Sequence, residues 1–167
     1  MVIINGHGGN TFKSMIRDLS LDYPDFLIAS SEWFAFVPAK EYFDEPGDHA
    51  DELETSVMMH YHPELVNLDE AGNGDYKKFT SQMLNEKVAW IPRNWQKVSQ
   101  DTGIGNPKKA SAEKGKKYAE AVVAKYALLF EELMPHHSRR SSDLFKRWSS
   151  MFISPPLLRY QIHFQLP

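Results

Sequence analysis

The chain has 167 residues, of which 42% are hydrophobic, 13% aromatic and 25% charged, with a formal net charge of −3. This is the composition of a folded domain with a sizeable core, and it excludes intrinsic disorder and a strongly basic nucleic-acid binder. No run approaches the roughly 18 consecutive apolar residues of a membrane span. Zero cysteines exclude a disulfide scaffold or thiolate metal site and suit a reducing cytoplasm. The expectation is a cytoplasmic protein without nucleic-acid or membrane partners.

Charge is unevenly spread. Ten acidic residues and no Lys or Arg lie between Glu41 and Glu70. Such a block forms a solvated acidic face or gathers around a cation, since oxygen ligands and imidazole suit divalent metals. From His136 onward five basic residues meet one acidic residue.

Val2-Ile3-Ile4 reads as a short buried strand. Gly6-His7-Gly8-Gly9-Asn10 breaks it, and Asn10 or Thr11 is placed to cap the following helix. In that helix Phe12, Met15, Ile16 and Leu19 repeat as a core-facing stripe until Tyr23-Pro24. Residues 26–36 read as a second strand, completing a βαβ unit with a right-handed crossover. Pro38 to Gly47 is a loop. His49 to Tyr61 reads as a helix with Leu53, Val57 and Tyr61 on its core face. Gly72-Asn73-Gly74 is a turn, and Val88 to Val98 reads weakly as a third strand. After the loop from Asp101 to Pro107, Ser111 is placed to cap the longest helix, whose inner face carries Tyr118, Val122, Lys125 or Tyr126, Leu129 and Leu133. The expected division is an α/β domain over 1–135 and a basic, aromatic tail over 136–167, where Leu144, Trp148 and Met151 could line a short helix.

Two segments could carry chemistry. The turn Gly6–Asn10 could cradle an anion with backbone N–H groups, although it matches neither the P-loop nor the dinucleotide fingerprint. Alternatively it aims His7 into the crevice at the C-terminal end of a parallel strand. In the second segment, His49-Ala50-Asp51-Glu52-Leu53-Glu54, the acids complement a helix N-terminus. Glu54 neighbours the apolar stripe and is expected to be partly buried, where a metal could be its partner. His60 and His62 point apart on a helix end and read as surface residues.

Together these segments resemble the creatininase (creatinine amidohydrolase) family. The resemblance rests on Asn5-Gly6-His7-Gly8-Gly9-Asn10, then His49-x-x-x-x-Glu54-Thr55-Ser56. It extends to Gly103-Ile104-Gly105-Asn106-Pro107-Lys108-Lys109-Ala110 with Glu113-Lys114-Gly115. It implies a layered α/β fold, with a mostly parallel sheet flanked by helices, whose N-terminal part is absent here. It also implies a two-metal site using zinc or manganese that activates water against the C–N bond of a small amide, cyclic amides included. By the same resemblance His7 and Glu54 are metal ligands, His49 is catalytic, Trp33 lies near the pocket, and Gly8 and Gly9 border the substrate. A homo-oligomer is implied as well. Gly9 stands where creatininase itself has a glutamate, and Asp51 where a glycine is usual. The family's upstream Glu-x-His and bridging Asp have no counterpart in the chain. The competing readings are a non-catalytic oligomerisation module and a phosphate-binding domain using the glycine turn.

Overall fold

The computed structural model describes residues 1–133; the tail over 136–167, with its Leu144, Trp148 and Met151, lies outside the described residues. The order of elements is β1 (Val2–Asn5), α1 (Lys13–Asp22), β2 (Ala29–Glu32), α2 (Glu52–Tyr61), α3 (Gln82–Asn85), α4 (Trp95–Val98) and α5 (Ala112–Leu133), with short 3₁₀ turns between them. β1 and β2 pair in parallel, Val2 opposite Ala29 and Asn5 opposite Glu32, with α1 in the crossover. The fold class is therefore α/β, as the βαβ reading required.

The core forms away from this sheet. Val37, Phe43, Leu53, Tyr118, Val122 and Tyr126 cluster where α2 packs against α5, with Trp33, Phe36 and Leu129 against the cluster. Each large apolar side chain buried there contributes roughly 1.5–3 kcal/mol. The helices approach closely because Gly115 faces Ser56: a Cβ at 115 would lie 1.9 Å from the Ser56 carbonyl oxygen. Ser56 is itself fully buried, and its hydroxyl accepts the Ser111 N–H at 3.1 Å. The Ser111 hydroxyl accepts the Lys114 N–H at 3.3 Å, so it caps α5 as its position in the sequence suggested. Tyr126 links this core to the sheet through its hydroxyl, 2.9 Å from Ser31 Oγ.

Several expected elements differ. The second strand is shorter than residues 26–36, because Trp33–Ala35 turn into a 3₁₀ segment; Trp33 packs on Tyr118, and Phe36, which follows the segment, packs on Tyr126. Helix α1 buries none of its stripe; Met15 is exposed and Leu21 is 80% exposed. Its N-cap is Phe12, while Asn10 bonds back to Asn5. Helix α2 begins at Glu52 with Asp51 as N-cap, so His49 precedes the helix. Tyr61, placed on the core face by its spacing, is 55% exposed at the last turn. Residues 88–94 form no strand: Pro92 lacks an N–H to donate, and only Trp95–Val98 adopts a helical turn. Among the described residues no helix is long and apolar enough to cross a membrane.

Candidate metal and catalytic site

Asn5 ends β1 and is 2% exposed. Its side-chain oxygen accepts the His7 backbone N–H at 3.2 Å and the Asn10 amide at 3.1 Å. The Asn10 N–H closes the turn onto the His7 carbonyl at 3.1 Å. One buried carboxamide thus shapes the loop that lifts the exposed His7 ring off the end of the strand. The ring folds back so that Nδ1 accepts the Gly9 N–H at 2.9 Å. A Cβ at position 9 would lie 2.9 Å from His7 Cε1, so this ring position requires glycine there. With Nδ1 accepting, the neutral ring carries its proton on Nε2. Ligating a cation would then require release of the Gly9 bond or exchange of the tautomer.

The same contacts count against the phosphate cradle. The Gly9 N–H is already engaged, and α1 starts at Lys13, beyond the glycine turn.

His49 is set by a different device. It pairs antiparallel with Ile104: the His49 N–H donates to the Ile104 carbonyl at 3.0 Å, and the His49 carbonyl accepts the Ile104 N–H at 2.8 Å. The backbone then turns through Ala50 at φ +50°, a left-handed conformation that a non-glycine residue rarely adopts. Asp51 holds the turn, accepting the N–H groups of Glu54, at 2.9 Å, and Gly47. Asp51 is thus the buried N-cap of α2. Gly47 and Gly105 permit the crossing: a Cβ on Gly105 would lie 2.8 Å from Gly47 Cα and 2.7 Å from Asp51 Cβ.

Glu54 reaches back over this turn. Its Oε2 accepts the Ala50 N–H at 2.7 Å and lies 3.9 Å from His49 Nδ1. The arrangement resembles a capping box displaced by one residue. Glu54 keeps 40% of its side chain exposed. The fully buried carboxylate is Glu52 instead, and its partner is a cation of the protein itself. One Glu52 oxygen contacts Lys114 Nζ, and the other accepts the Glu45 N–H at 2.7 Å. Lys114 also reaches Asp44 at 2.8 Å, which raises the Lys114 pKa and lowers that of Asp44.

His7 and His49 meet at the mouth of the parallel pair, ring centroids 6.2 Å apart and tilted by 68°. His49 therefore neighbours both His7 and Glu54. Among the described residues no three metal-ligating side chains gather closely enough to hold an ion. His7, His49 and Glu54 fit part of a divalent ligand set and do not by themselves fit a two-metal centre. Trp33 packs edge-on against Tyr118 and Phe34, and a Cβ on Gly8 would lie 3.6 Å from Phe34 Cζ. His60 and His62 stand at the far end of α2, with His62 paired to Glu64 at 3.2 Å.

A residue that the sequence reading placed in an apolar strand belongs beside this site. Trp95 lies against His49, ring centroids 5.1 Å apart. Arg93 covers the indole and forms a two-pronged bond to Asp48 at 2.6 and 2.7 Å. Arg93 and Asp48 lie 45 residues apart, about a third of the described domain, and no local pattern announces the contact.

The fold is thus an α/β domain that brings His7 and His49 together beyond the end of a parallel strand, where α/β folds commonly bind ligands. The chain belongs to the creatininase family: the family description "Creatininase: Creatinine amidohydrolase" matches residues 1–130. It is similar to the crystal structure of a "Putative creatinine amidohydrolase from Bacteroides fragilis NCTC 9343", with 59% identity and a TM-score of 0.77 over 83% of this chain. The structure described as "Creatininase Mn" shares 26% identity at a TM-score of 0.65, covering 81% of this chain and 56% of its own. A creatininase variant of "Zn-Zn type", 24% identical, shares the fold at a TM-score of 0.62 over 81% of this chain and 56% of its own. No curated protein matches the chain significantly. The chain spans 55% of the length of the Bacteroides fragilis protein.

Proposed function

We propose that this chain carries part of the active site of a metal-dependent amidohydrolase that cleaves the C–N bond of a small amide, cyclic amides included. In this reading His7 and Glu54 donate to a divalent cation, zinc or manganese, with two ions in a complete site. Such ions lower the pKa of bound water and polarise a carbonyl. The carrying observation is the position of His49, whose ring faces His7 on one side and Glu54 on the other. An imidazole there can give a proton to the leaving nitrogen or a hydrogen bond to the developing oxyanion. The Ile104 bridge fixes the backbone of His49, and Glu54 Oε2 stands 3.9 Å from its Nδ1. Trp33, Gly8 and Gly9 border the substrate, with Phe34 linking the aromatic segment to the glycine turn.

The partner is a small amide molecule, and the assembly is a homo-oligomer in the cytoplasm. Exposed Ile4, Leu21, Phe26 and Leu27 around the βαβ unit give a second copy an apolar surface to cover. Gly9, which creates the present His7 rotamer, favours an amide other than creatinine.

One observation favours a second reading. The partial ligand set of residues 1–133 is what a non-catalytic module of the same fold would retain.

The deciding experiment is amide hydrolysis by the 167-residue chain with zinc or manganese, over creatinine, other cyclic amides and formylated amines. The amidohydrolase reading expects turnover that chelator abolishes and that falls about 10²–10⁴-fold in His49→Gln. Metal loading without turnover on any of these amides, or turnover indifferent to His49, supports the module instead.

A further inference from the structure

We infer that Trp95 is a positioning residue for His49, held in place by Arg93, and that the two act with Asp48 as one clamp. The inference deepens the proposed role of His49 and rests on that reading for its catalytic consequence. The contacts close a ring in space. Trp95 lies on His49 at 5.1 Å between centroids, and the Arg93 guanidinium lies 5.4 Å from the centre of the same indole. Both Arg93 nitrogens then bond Asp48, the residue immediately before His49, at 2.6 and 2.7 Å. Distant segments of chain are thereby pinned to one imidazole from its backbone and from its face.

The surroundings show that this docking is specific to two side chains. The arm leading to them is otherwise in water: Val88 is 70% exposed, Trp90 82% and Ile91 45%. An arm held by general apolar collapse would bury Trp90 and Ile91 as well. Instead the partly buried positions are Arg93 and Trp95, which touch Asp48 and His49. A planar guanidinium suits both tasks, since it forks onto a carboxylate and stacks on an aromatic face, which an ammonium does less well. The arm is held separately near its exit, where the Lys77 N–H donates to the Val98 carbonyl at 2.7 Å.

The restraint matters for His49 because its remaining neighbours are polar and partly exposed. Glu54 stands 3.9 Å from Nδ1, and His7 faces the ring edge-on. Neither fills the space that the indole occupies. With Trp95 in place the imidazole keeps the heading that points it between Glu54 and His7. Without it the ring is free to rotate into solvent. A catalytic group misplaced by about 1 Å loses on the order of 10²-fold in rate.

The test is NMR of the full chain labelled on histidine rings, with His49 assigned by its loss in His49→Gln. In the native chain the His49 ring resonances are expected to be displaced by the indole and to show contacts to Trp95. Trp95→Ala is expected to remove that displacement while His60 and His62 stay in place. Trp95→Phe is expected to keep most of it, and Arg93→Lys to lose an intermediate part. His49 resonances unchanged by Trp95→Ala and by Arg93→Lys overturn the inference. If His60 and His62 also shift in Trp95→Ala, that variant has lost its fold, and the Trp95→Phe and Arg93→Lys spectra decide. Where the chain hydrolyses an amide, Trp95→Ala is expected to lower kcat about tenfold to a hundredfold with KM nearly unchanged. A loss confined to KM contradicts positioning. Ring displacement without any turnover leaves the clamp standing and counts against the hydrolase reading, so the two failures are separable.

Discussion

The β1–α1–β2 unit and the α2–α5 pair are built to different standards, and the candidate site lies on the seam between them. In the helical pair Tyr118 and Glu52 are 0% exposed, and Leu53, Val122 and Phe43 lie within the cluster. In the βαβ unit the one buried side chain is a polar one, Asn5, while α1 buries nothing. His49 and Glu54 are therefore held by the rigid half, through the Ile104 bridge and the Asp51 cap. His7 is held by a hydrogen-bonded turn on the lightly packed half. On the proposed function, His49 has a stable frame and His7 faces it from a more adjustable one.

The largest expected effect comes from the helical seam. Gly115→Val would drive a side chain into the Ser56 carbonyl and is expected to prevent folding, read as loss of a cooperative thermal transition. Tyr118→Ala is expected to cost about 3–5 kcal/mol by denaturant unfolding, like other large-to-small core changes. Leu21→Ala on α1 is expected to change stability by less than about 0.5 kcal/mol, because Leu21 already stands in water. Equal losses at Tyr118 and Leu21 would erase the contrast between the halves.

Lys114→Met comes next. It leaves the Glu52 carboxylate buried without its cation, and removing one partner of a buried pair is strongly destabilising. The double change Glu52→Gln with Lys114→Met is expected to recover part of the loss in the same unfolding assay. No recovery would show that Lys114 acts through its other contacts.

Two pH effects are smaller and have opposite signs. Burial pushes the Tyr118 hydroxyl up to about 12, while its O–H donates to the Phe34 carbonyl at 2.9 Å. The folded state thus keeps a proton that the unfolded chain releases near pH 10. The stability it contributes is complete below pH 10 and is lost as pH climbs towards about 12. Tyr118→Phe is expected to flatten that alkaline decline. Asp48 runs the other way. The Arg93 fork holds its carboxyl below the usual 3.8, so its contribution is present above that pH and disappears as acid protonates it. Asp48→Asn is expected to be less stable than the native chain at neutral pH by a fraction of a kcal/mol to about 1 kcal/mol. The two should converge below pH 3.8.

Much of this was legible in the sequence because it is local. The β-branched Val2-Ile3-Ile4 run, the Ser111 cap and the Tyr118–Val122 stripe declare β1 and the inner face of α5 through spacing, while packing decides for Tyr126 over Lys125. His7 and His49 were found as candidates through motif resemblance, and the strand-end turn gave His7 a physical reason to face a crevice. What could not be read depends on distant segments. The stripe of α1 has the right period, yet periodicity does not say whether anything lies opposite it. Glu54 and Glu52 both flank Leu53, and only the position of Lys114 on another helix decides which of them is buried. Trp95 reaches His49 through a contact unrelated to any repeat, and the apolar run around it suggested a strand that Pro92 denies.

The central proposal is that His7 and Glu54 share one cation, with His49 beside it. The direct measurement is a manganese titration of the histidine-labelled chain followed by paramagnetic broadening of each ring. The account predicts that His7 and His49 broaden together at low manganese, before His60 and His62, and that Glu54→Gln abolishes the effect. Broadening that begins at His60 and His62, or that reaches His7 without His49, would contradict it.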